Sequence, residues 1–593
     1  MSLKIEISVE THTEVNGMRR KRVIGLGTLF LFGFLLLIAR LVQLQLIETE
    51  SYSKHNINLI EASISQRTQS YVLDEGRGTM LDNNGVTMSH TIPSLVLFPF
   101  LKEREWPIET LAKVINKSPE EIEQAFEGKK QPFTFKKNLS IDEMKKINEL
   151  SIPGVYAVFK GETNDKLAEH LIGSVRTNPD RLKSKYPEKW AEGLIDEKTK
   201  MGISGLQLAF DPFLLSEGDT TLLYHADRQG NPLLGLDVKM FSNSDSFYPL
   251  QIKTTVDMEI QKLLEKAIDD SGITNGGAVL LDIEASNLIG MVSRPLFKKD
   301  DPLGVGGVNQ MTTGHFPGSV FKTVILAAAY EEGIKNNRTF DCDQNVYRDG
   351  PGNRKLGTID LKQSFALSCN AAFTELGEEL IQKDSDIIEK TAANLGISST
   401  VGWSDSLYHY EEFKQFPEES EPVFFIDDKD KRVKKAIDQT VIGQLNVKLS
   451  PLAIANMMAT IARNGDSKQV RVVSDILYRN QTTFLTFKEK SAGESQLSNQ
   501  VMKSLQESLR EVVVSGTGRT YLSDLPVAVA GKSGTAELGN ETSFDHQWFA
   551  GYFPYESPKY ALVVVDLERE EKENKAYESF AKIVKDLYET KRE

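Results

Sequence analysis

The sequence predicts an α+β fold, because strand-like segments lie at both ends of residues 256–593 and helical segments lie between them. Two apolar runs, 277–283 and 287–292, are typical of paired strands that are buried on both faces. Two further strands and a closing helix are predicted toward the end of the chain, at 547–553, 560–565 and 573–590. We therefore expect an antiparallel sheet that is covered by helices.

The N-terminal region predicts a membrane anchor. An uncharged apolar run of 17 residues, 23–39, follows a basic cluster at 19–22. The run is near the lower limit of a membrane span, but Arg40 can extend its charge to the interface. A buried core helix would show a polar face, which this run lacks. A cleaved signal peptide would end in an Ala-x-Ala-like site, and no such site follows the run. We expect a cytoplasmic tail over 1–22, an uncleaved transmembrane anchor over 23–45, and the rest of the chain outside.

A serine and a lysine mark the start of a predicted helix. Ser319 follows a Pro-Gly break and stands three residues ahead of Lys322, and 323–330 is a run of helix-forming apolar residues. Residues three apart share one helix face, so the Lys322 amine can reach the Ser319 hydroxyl. The helix N-terminus adds a positive dipole end and free N–H groups. An alcohol nucleophile needs such a base and such donors.

Two further motifs follow in the order that serine acyl-transfer enzymes show. A Ser-x-Asn element stands at 368–370, and a Lys-Ser-Gly element stands at 532–534. With these three motifs the chain resembles the class B penicillin-binding proteins, the membrane-anchored peptidoglycan D,D-transpeptidases of cell-wall synthesis and cell shape. The resemblance covers most of the chain beyond the first twenty residues.

The resemblance implies a role for each motif residue. Ser319 would attack the carbonyl of the penultimate D-Ala of a stem peptide, and a neutral Lys322 would take its proton. Ser368 could relay a proton to the leaving amine, and Asn370 could hold the amide of the donor peptide. Lys532 could bind the terminal carboxylate. Burial and the charge of Lys532 could lower the pKa of Lys322.

The residues that follow Lys532 in its motif are expected to bind substrate. Ser533 would add a hydroxyl to the carboxylate site, and Gly534 belongs to the same substrate-binding element. Thr535 would share an oxyanion hole with Ser319 through backbone N–H groups. An amine of a second strand would then resolve the acyl-enzyme and form a crosslink. The sequence leaves open which of Lys322, Ser368 and Lys532 is the general base.

The residues ahead of the catalytic domain are expected to form an elongated pedestal without chemistry. We assign 46–255 to this module, of the dimerisation type, and 256–593 to the transpeptidase domain. Residues 76–85 and 202–207 are similar to elements of the family's N-terminal module. The second of these carries Gln207 where the family has Glu.

Composition and cysteine usage restrict cofactors and partners. The net charge of −14 argues against nucleic acid. Cys342 and Cys369 are the only cysteines. Because pairing of Cys369 would constrain the Ser-x-Asn element, we expect both to be unpaired. The sequence shows no metal-ligand spacing, so we expect neither metal nor cofactor. The expected partners are stem peptides, β-lactam antibiotics and the membrane, with a glycosyltransferase or another cell-wall synthesis protein as a candidate.

Two other functions fit the sequence less well than a transpeptidase. A D,D-carboxypeptidase or β-lactamase-like hydrolase would use water as acceptor, but the Glu-x-x-x-Asn element of class A β-lactamases does not occur between Asn370 and Lys532. A non-enzymatic scaffold or penicillin sensor is disfavoured by the intact three-motif set. A sensor would also need an output domain on the cytoplasmic side, for which 22 residues are too few. The sequence does not distinguish elongation, division and sporulation, and it does not define the stem-peptide chemistry or the oligomeric state.

Overall fold

The computed structural model describes most of the chain. Residues 1–7 of the expected cytoplasmic tail and residues 48–67 of the expected pedestal lie outside the described part. The described ranges are 8–47, 68–74, 76–88, 91–129, 131–136, 139–161, 167–215, 220–225, 239–241, 247–298, 301–302, 304–408, 410–537, 544–569 and 573–589.

The N-terminal region is one long helix, Ser8–Val42, which continues as a π-helical turn, Gln43–Ile47. Its 27-residue segment Arg19–Gln45 is long and apolar enough to cross a membrane. At a rise of about 1.5 Å per residue, that segment measures about 40 Å. Its large apolar side chains are exposed, as a lipid-facing helix requires. The segment fits a single transmembrane helix.

The chain forms two compact units, and each is assembled from separate segments. The first unit contains 1–73, 92–160 and 220–241, and the second contains 74–91, 161–219 and 242–593.

In the first unit, a three-stranded sheet packs with three helices around an apolar core that includes Leu95, Leu111 and Ile147. Two of the helices begin at capping boxes, in which Ser118 and Ser140 accept a hydrogen bond from the backbone of the residue three further on. The strands are Thr91–Leu97, Phe133–Lys136 and Val155–Gly161, and the helices are Ile108–Ile115, Pro119–Ala125 and Ile141–Glu149. A second three-stranded sheet consists of Thr68–Asp74, Thr220–His225 and Lys239–Phe241.

The second unit is built on a five-stranded antiparallel sheet, as the sequence predicts. In spatial order its strands are Leu288–Arg294, Gly276–Asp282, Tyr560–Arg569, Asp545–Phe553 and Ala530–Glu537. The sheet is buried on both faces. Val563 and Val565 belong to one apolar core and Leu562 and Val564 to another, because successive side chains of a strand point to opposite faces.

Helices cover both faces of this sheet. Helix Lys322–Glu331 lies in the larger core and is buried over nearly its whole length. The closing helix packs on the opposite face. The closing helix is Lys575–Glu589. The remaining helices of this part of the unit are Met258–Asp270, Leu361–Ala366, Asn370–Lys383, Ile387–Asn394, Lys434–Val441, Pro451–Ala462, Asn499–Val514 and Arg519–Leu522. The antiparallel sheet and its helical layers confirm the predicted α+β class.

Segments from before residue 220 also contribute to the second unit. Strand Thr79–Leu81 runs parallel to Gln251–Thr254 in a four-stranded sheet. The fully buried carboxylate of Asp211 accepts hydrogen bonds from Arg77 (2.9 Å) and from the Tyr186 hydroxyl (2.7 Å). Burial alone would raise the pKa of Asp211, but the Arg77 guanidinium and the hydrogen bonds hold it below its usual value. The four-stranded sheet also contains Val473–Leu477 and Thr483–Thr486. The other elements from before residue 220 are Glu169–Ile172, Val175–Thr177, Pro179–Lys185, Pro187–Ala191, Lys200–Gly202, Gly205–Ala209 and Asp211–Leu214.

Candidate active site

Ser319 lies in a tight turn that leads directly into a helix. The turn, Gly318–Val320, is 3₁₀-helical, and the α-helix begins at Lys322. Two hydrogen bonds hold the turn from outside. The indole N–H of Trp548 donates to the carbonyl of Phe316 (3.0 Å), and the N–H of Gly318 donates to the carbonyl of Gly443 (3.0 Å). The predicted position of Ser319 at the start of this helical segment is therefore found.

The turn packs backbone against backbone on the strand that carries the Lys-Ser-Gly element. Gly318 has φ +53°, and a Cβ on it would lie 2.3 Å from the carbonyl oxygen of Thr535. A Cβ on Gly534 would lie 2.4 Å from the carbonyl oxygen of Pro317. Both distances are far below van der Waals contact, so only glycine fits at either position. This contact places the backbone N–H groups of Ser319 and Thr535 on neighbouring segments.

Lys322 is fully buried and contacts the Ser-x-Asn element. Its Nζ lies 2.6 Å from Asn370 Oδ1, 3.2 Å from the carbonyl oxygen of Ser368 and 3.2 Å from Ser368 Oγ. The amide and carbonyl oxygens can only accept. A neutral amine would donate its two hydrogens to them and keep its lone pair for a hydroxyl proton. The geometry therefore suits a lysine that accepts a proton from a serine.

Burial and neighbouring charges lower the pKa of both site lysines. Burial, followed by the nearby charges of Lys532 and Arg354, holds the pKa of Lys322 well below its usual value. Burial, with a contribution from Arg354, lowers the pKa of Lys532 to about 7. Lys532 Nζ donates to the carbonyl of Ser533 (3.0 Å) and lies over the ring of Phe365. Both lysines are completely buried, so little solvent screens these charges.

The expectation that the two cysteines are unpaired is wrong. Cys342 and Cys369 form a disulfide, with their Cα atoms 5.7 Å apart. Ser368 and Asn370 contact Lys322, whereas Cys369 between them is buried in the apolar core. The disulfide therefore fixes the Ser-x-Asn turn from behind without occupying the site. This constraint helps to hold the backbone of Ser368 in its strained conformation, because a φ of +59° is unfavourable for a residue with a side chain.

Reduction of this disulfide is expected to destabilise the second unit. It closes a loop between residues 27 apart, and the loop-closure model assigns about 3–4 kcal/mol to such a bridge. We expect reductant to lower the melting temperature by several degrees. Differential scanning fluorimetry with and without reductant measures the shift, and a Cys342→Ala, Cys369→Ala double variant serves as control because it should not respond. An unchanged melting temperature of the unsubstituted chain under reductant would contradict the bridge.

The Lys-Ser-Gly strand presents its hydroxyls at the surface of a cleft. Ser533 Oγ lies 2.7 Å from Thr517 Oγ1, which precedes the short helix Arg519–Leu522. Thr535, two residues further along the strand, is exposed. The hydroxyl-bearing residues Thr517, Ser533 and Thr535 thus line one edge of the cleft. Hydroxyls can donate hydrogen bonds to a carboxylate.

The site residues meet around a cleft of about 240 Å³. Five of the eight residues expected from the sequence line it: Ser319, Ser368, Asn370, Ser533 and Thr535. The other three lie directly behind it, with Lys322 and Lys532 buried and Gly534 packed against the nucleophile turn. Within the described ranges, no group of three or more His, Cys, Asp or Glu residues could hold a metal ion.

Further residues line the cleft that motif analysis does not assign. Ile442 and Gln444 line it directly after helix Lys434–Val441, and the sequence gives them no role. Arg354, Thr517, Glu537 and Tyr577 also line the cleft. Tyr577 comes from the closing helix and is distant in sequence from every motif. No spacing signal could have identified Arg354, which lies on a loop between the short strands Thr339–Asp341 and Thr358–Asp360.

The cleft brings together a serine at a helix start, two buried lysines and a Ser-x-Asn turn. This arrangement is suited to acyl transfer through serine. The comparisons with known proteins agree with that class. Residues 276–589 match the penicillin-binding protein transpeptidase domain, and residues 73–239 match the penicillin-binding protein dimerisation domain. The first match covers more than half of the chain, which therefore belongs to the penicillin-binding protein transpeptidase family.

Individual relatives are similar over most of the chain. It is 24% identical over 578 residues to stage V sporulation protein D of Bacillus subtilis, covering 92% of this chain and 81% of that protein. It is 22% identical over 612 residues to the peptidoglycan D,D-transpeptidase MrdA of Haemophilus influenzae, covering 92% and 88%. A solved chain from a study of a peptidoglycan synthase complex that coordinates polymerisation and crosslinking matches with a TM-score of 0.64 at 20% identity, covering 95% and 97%. That likeness shows the same fold.

Proposed function

We propose that this chain is a class B penicillin-binding protein, a serine-type peptidoglycan D,D-transpeptidase that crosslinks stem peptides through an acyl-enzyme on Ser319 and is inhibited covalently by β-lactams. The observation that carries the proposal is the buried Lys322 amine within hydrogen-bond distance of Ser368 and Asn370, beside the turn that holds Ser319. The family match and the D,D-transpeptidases among the relatives support the same reaction.

In the first half of the reaction, the hydroxyl of Ser319 attacks the carbonyl of the penultimate residue of the donor. The neutral Lys322 amine accepts the hydroxyl proton, because its two hydrogens are engaged by Asn370 and by the carbonyl of Ser368. The Ser368 hydroxyl, 3.2 Å from that amine, passes the proton to the departing amine of the terminal residue. An ester on Ser319 remains, and one amino acid leaves.

Binding of the donor uses the groups around the same cleft. The backbone N–H groups of Ser319 and Thr535 are proposed to stabilise the developing oxyanion, since Gly318 and Gly534 allow their segments to touch. Lys532 and Ser533, with the exposed Thr535, are proposed to receive the terminal carboxylate. Asn370 presents its amide both to Lys322 and to the cleft, where it would hold the donor's peptide bond.

In the second half, an amine from another peptidoglycan strand attacks the ester. The amine nitrogen forms a bond to the acyl carbon, the bond to Ser319 Oγ breaks, and the released proton returns to that oxygen through the same lysine and serine. The cleft is open at its surface, so an acceptor strand can approach after the leaving group has departed. The product is a crosslinked pair of peptides.

The test is a crosslinking assay with the full chain in detergent. The purified protein is incubated with peptidoglycan strands that bear pentapeptides, and the products are separated by mass spectrometry after muramidase digestion. We expect crosslinked dimers and released D-Ala in equal amounts. If tetrapeptides accumulate without dimers, the chain is a carboxypeptidase; if the strands are unchanged although penicillin binds, the scaffold function is correct instead.

We further propose that residues 46–255 serve as the pedestal and residues 256–593 as the transpeptidase domain. Among the residues that the structure describes, every one that lines the cleft lies between Ser319 and Tyr577, which supports a first half without catalytic side chains. Substitution of exposed polar side chains within 92–160 should therefore leave penicillin acylation unchanged. A glycosyltransferase or another cell-wall synthesis protein is the proposed partner of this arrangement.

The proposed topology is a single span with the N-terminus in the cytoplasm and the catalytic domain outside. The basic cluster Arg19, Arg20, Lys21 and Arg22 at the start of the apolar helix supports this orientation. Protease added to intact protoplasts should digest all but a short fragment that contains the span, detectable by an N-terminal epitope. A full-length protected chain would reverse the orientation.

A further inference from the structure

Arg354 is a permanent cation at the surface of the cleft. It lines the cleft together with Ser319, Ser368 and Thr535, and the residue is exposed. Its Nη1 donates to the carbonyl of Leu367 (2.8 Å), the residue that precedes Ser368. Because a guanidinium has five N–H donors, one such bond leaves donors for a ligand. In the described part of the chain, no carboxylate lies within ion-pair distance of Arg354.

The loop that carries Arg354 is tied to the catalytic turn. The Cys342–Cys369 disulfide joins the start of the loop to the middle of the Ser-x-Asn element. The N–H of Cys342 donates to the carbonyl of Gly357 (3.0 Å), which closes the other end. With the bond from Arg354 to Leu367, this fixes the guanidinium relative to Ser368. The charge is therefore held beside the cleft in a defined place.

Three basic side chains, those of Lys322, Lys532 and Arg354, belong to this site, and they differ in their exposure to solvent. Lys322 and Lys532 are buried, and both have lowered pKa values to which the charge of Arg354 contributes. Arginine stays charged at every relevant pH, and its planar fork matches a carboxylate. Of the three cations, Arg354 is thus the one whose side chain is directly accessible to an anion at the mouth of the cleft.

The chemistry of the proposed reaction supplies such an anion. The amine that leaves the donor belongs to an amino acid, so the carbon next to its nitrogen carries a carboxylate. The acceptor amine attacks the same acyl carbon from the side on which the first amine departed. An acceptor whose amine is α to a carboxylate would therefore bring a new carboxylate into the cleft that Arg354 lines, after the leaving residue has departed.

We propose that Arg354 binds the carboxylate of the acceptor, so that the enzyme selects amines whose neighbouring carbon carries a carboxylate over amines that lack one. Arg354 is then a specificity-determining residue for the second half of the reaction. This inference rests on the proposed transpeptidase function, and it assigns the acceptor class rather than the reaction itself.

The test uses two small acceptors that differ in the carboxylate alone, D-alanine and D-alaninamide. The full chain in detergent is first acylated by a depsipeptide donor that releases a hydroxy acid, and the adduct on Ser319 is confirmed by intact mass. The ratio of aminolysis to hydrolysis is then measured for each acceptor, in the unsubstituted chain and in Arg354→Gln. Each acceptor is compared with itself across variants, so intrinsic differences in amine reactivity cancel.

We expect Arg354→Gln to lower the partition ratio for D-alanine about tenfold and to leave the ratio for D-alaninamide unchanged. Arg354→Lys should restore part of the preference, because it restores the charge without the fork. Lys355→Gln removes a neighbouring exposed charge that does not line the cleft, and it should behave like the unsubstituted chain. This pattern would establish acceptor selection by Arg354.

Two other results would overturn the inference and leave the proposed function intact. An equal loss for both acceptors would show that Arg354 acts on the lysines or on the loop instead of on the acceptor. No change for either acceptor would show that the carboxylate binds elsewhere. If no adduct forms on Ser319 at the first step, the proposed function itself fails, so the two failures are distinguishable.

Discussion

Ser319→Ala is expected to remove all covalent binding of penicillin while leaving the protein folded. The strained amide of a β-lactam resembles the peptide carbonyl, so the hydroxyl and the oxyanion donors should accept it. After ring opening, the remnant stays attached and obstructs the approach of an amine, so the ester on Ser319 should be long-lived. Without the hydroxyl there is no atom to form the ester, and acylation should fall by more than about a thousandfold.

Intact-mass analysis measures this outcome directly. The unsubstituted chain should gain one penicillin mass per molecule, and peptide mapping should place it on the peptide that contains Ser319. Ser533→Ala is the matched control, because it removes a cleft hydroxyl and should slow acylation without abolishing it. Rapid consumption of the drug without a lasting adduct would favour a β-lactamase, and an adduct on another residue would refute the assignment of Ser319.

Lys322→Arg is expected to reduce acylation by about 10²–10⁴-fold, the usual contribution of a general base. Arginine stays protonated, so it cannot accept the Ser319 proton, and its guanidinium is too large for a site with contacts of 2.6 and 3.2 Å to Asn370 and Ser368. Lys322→Met provides a second variant that keeps the length and lacks the charge, which suits the apolar surroundings of a fully buried side chain. Circular dichroism and melting temperature verify that both variants fold.

The pH dependence of acylation should follow the same group. The neutral amine is the reactive form, so the rate should rise as pH increases through the pKa of Lys322 and should level off above it. Burial and the charges of Lys532 and Arg354 place that midpoint well below the ordinary lysine value of about 10.4. A rate that still climbs at pH 10, or a normal rate in Lys322→Arg, would exclude Lys322 as the base.

The sheet and its helices could be predicted because their sequences show clear periodicity and composition. The runs over 277–283 and 560–565 are apolar at nearly every position, and the structure buries both faces of the corresponding strands. The strand pairing of the segments before residue 256 could not be predicted in the same way. Strand Thr79–Leu81 pairs with a strand about 170 residues later in the chain, and no local pattern encodes such a contact.

The three motifs could be located from spacing, since each is local in sequence. Their surroundings could not. The pairing of Cys342 with Cys369 depends on a loop that returns beside the Ser-x-Asn turn. The expectation of free cysteines failed because it took the constraint that a bridge places on this turn as a reason against pairing. Arg354 and Tyr577 reach the cleft by tertiary packing alone, from a loop and from the closing helix.

The contact between the nucleophile turn and its neighbouring strand restricts how this chain could evolve under antibiotic selection. A side chain at Gly318 or Gly534 would collide with the backbone of the opposing segment at 2.3–2.4 Å, so mutations there destroy the enzyme together with its drug sensitivity. Glu537, by contrast, lines the cleft with an exposed side chain. We therefore expect substitutions that weaken drug binding and spare the natural reaction to occur at exposed positions of the rim and not at these two glycines.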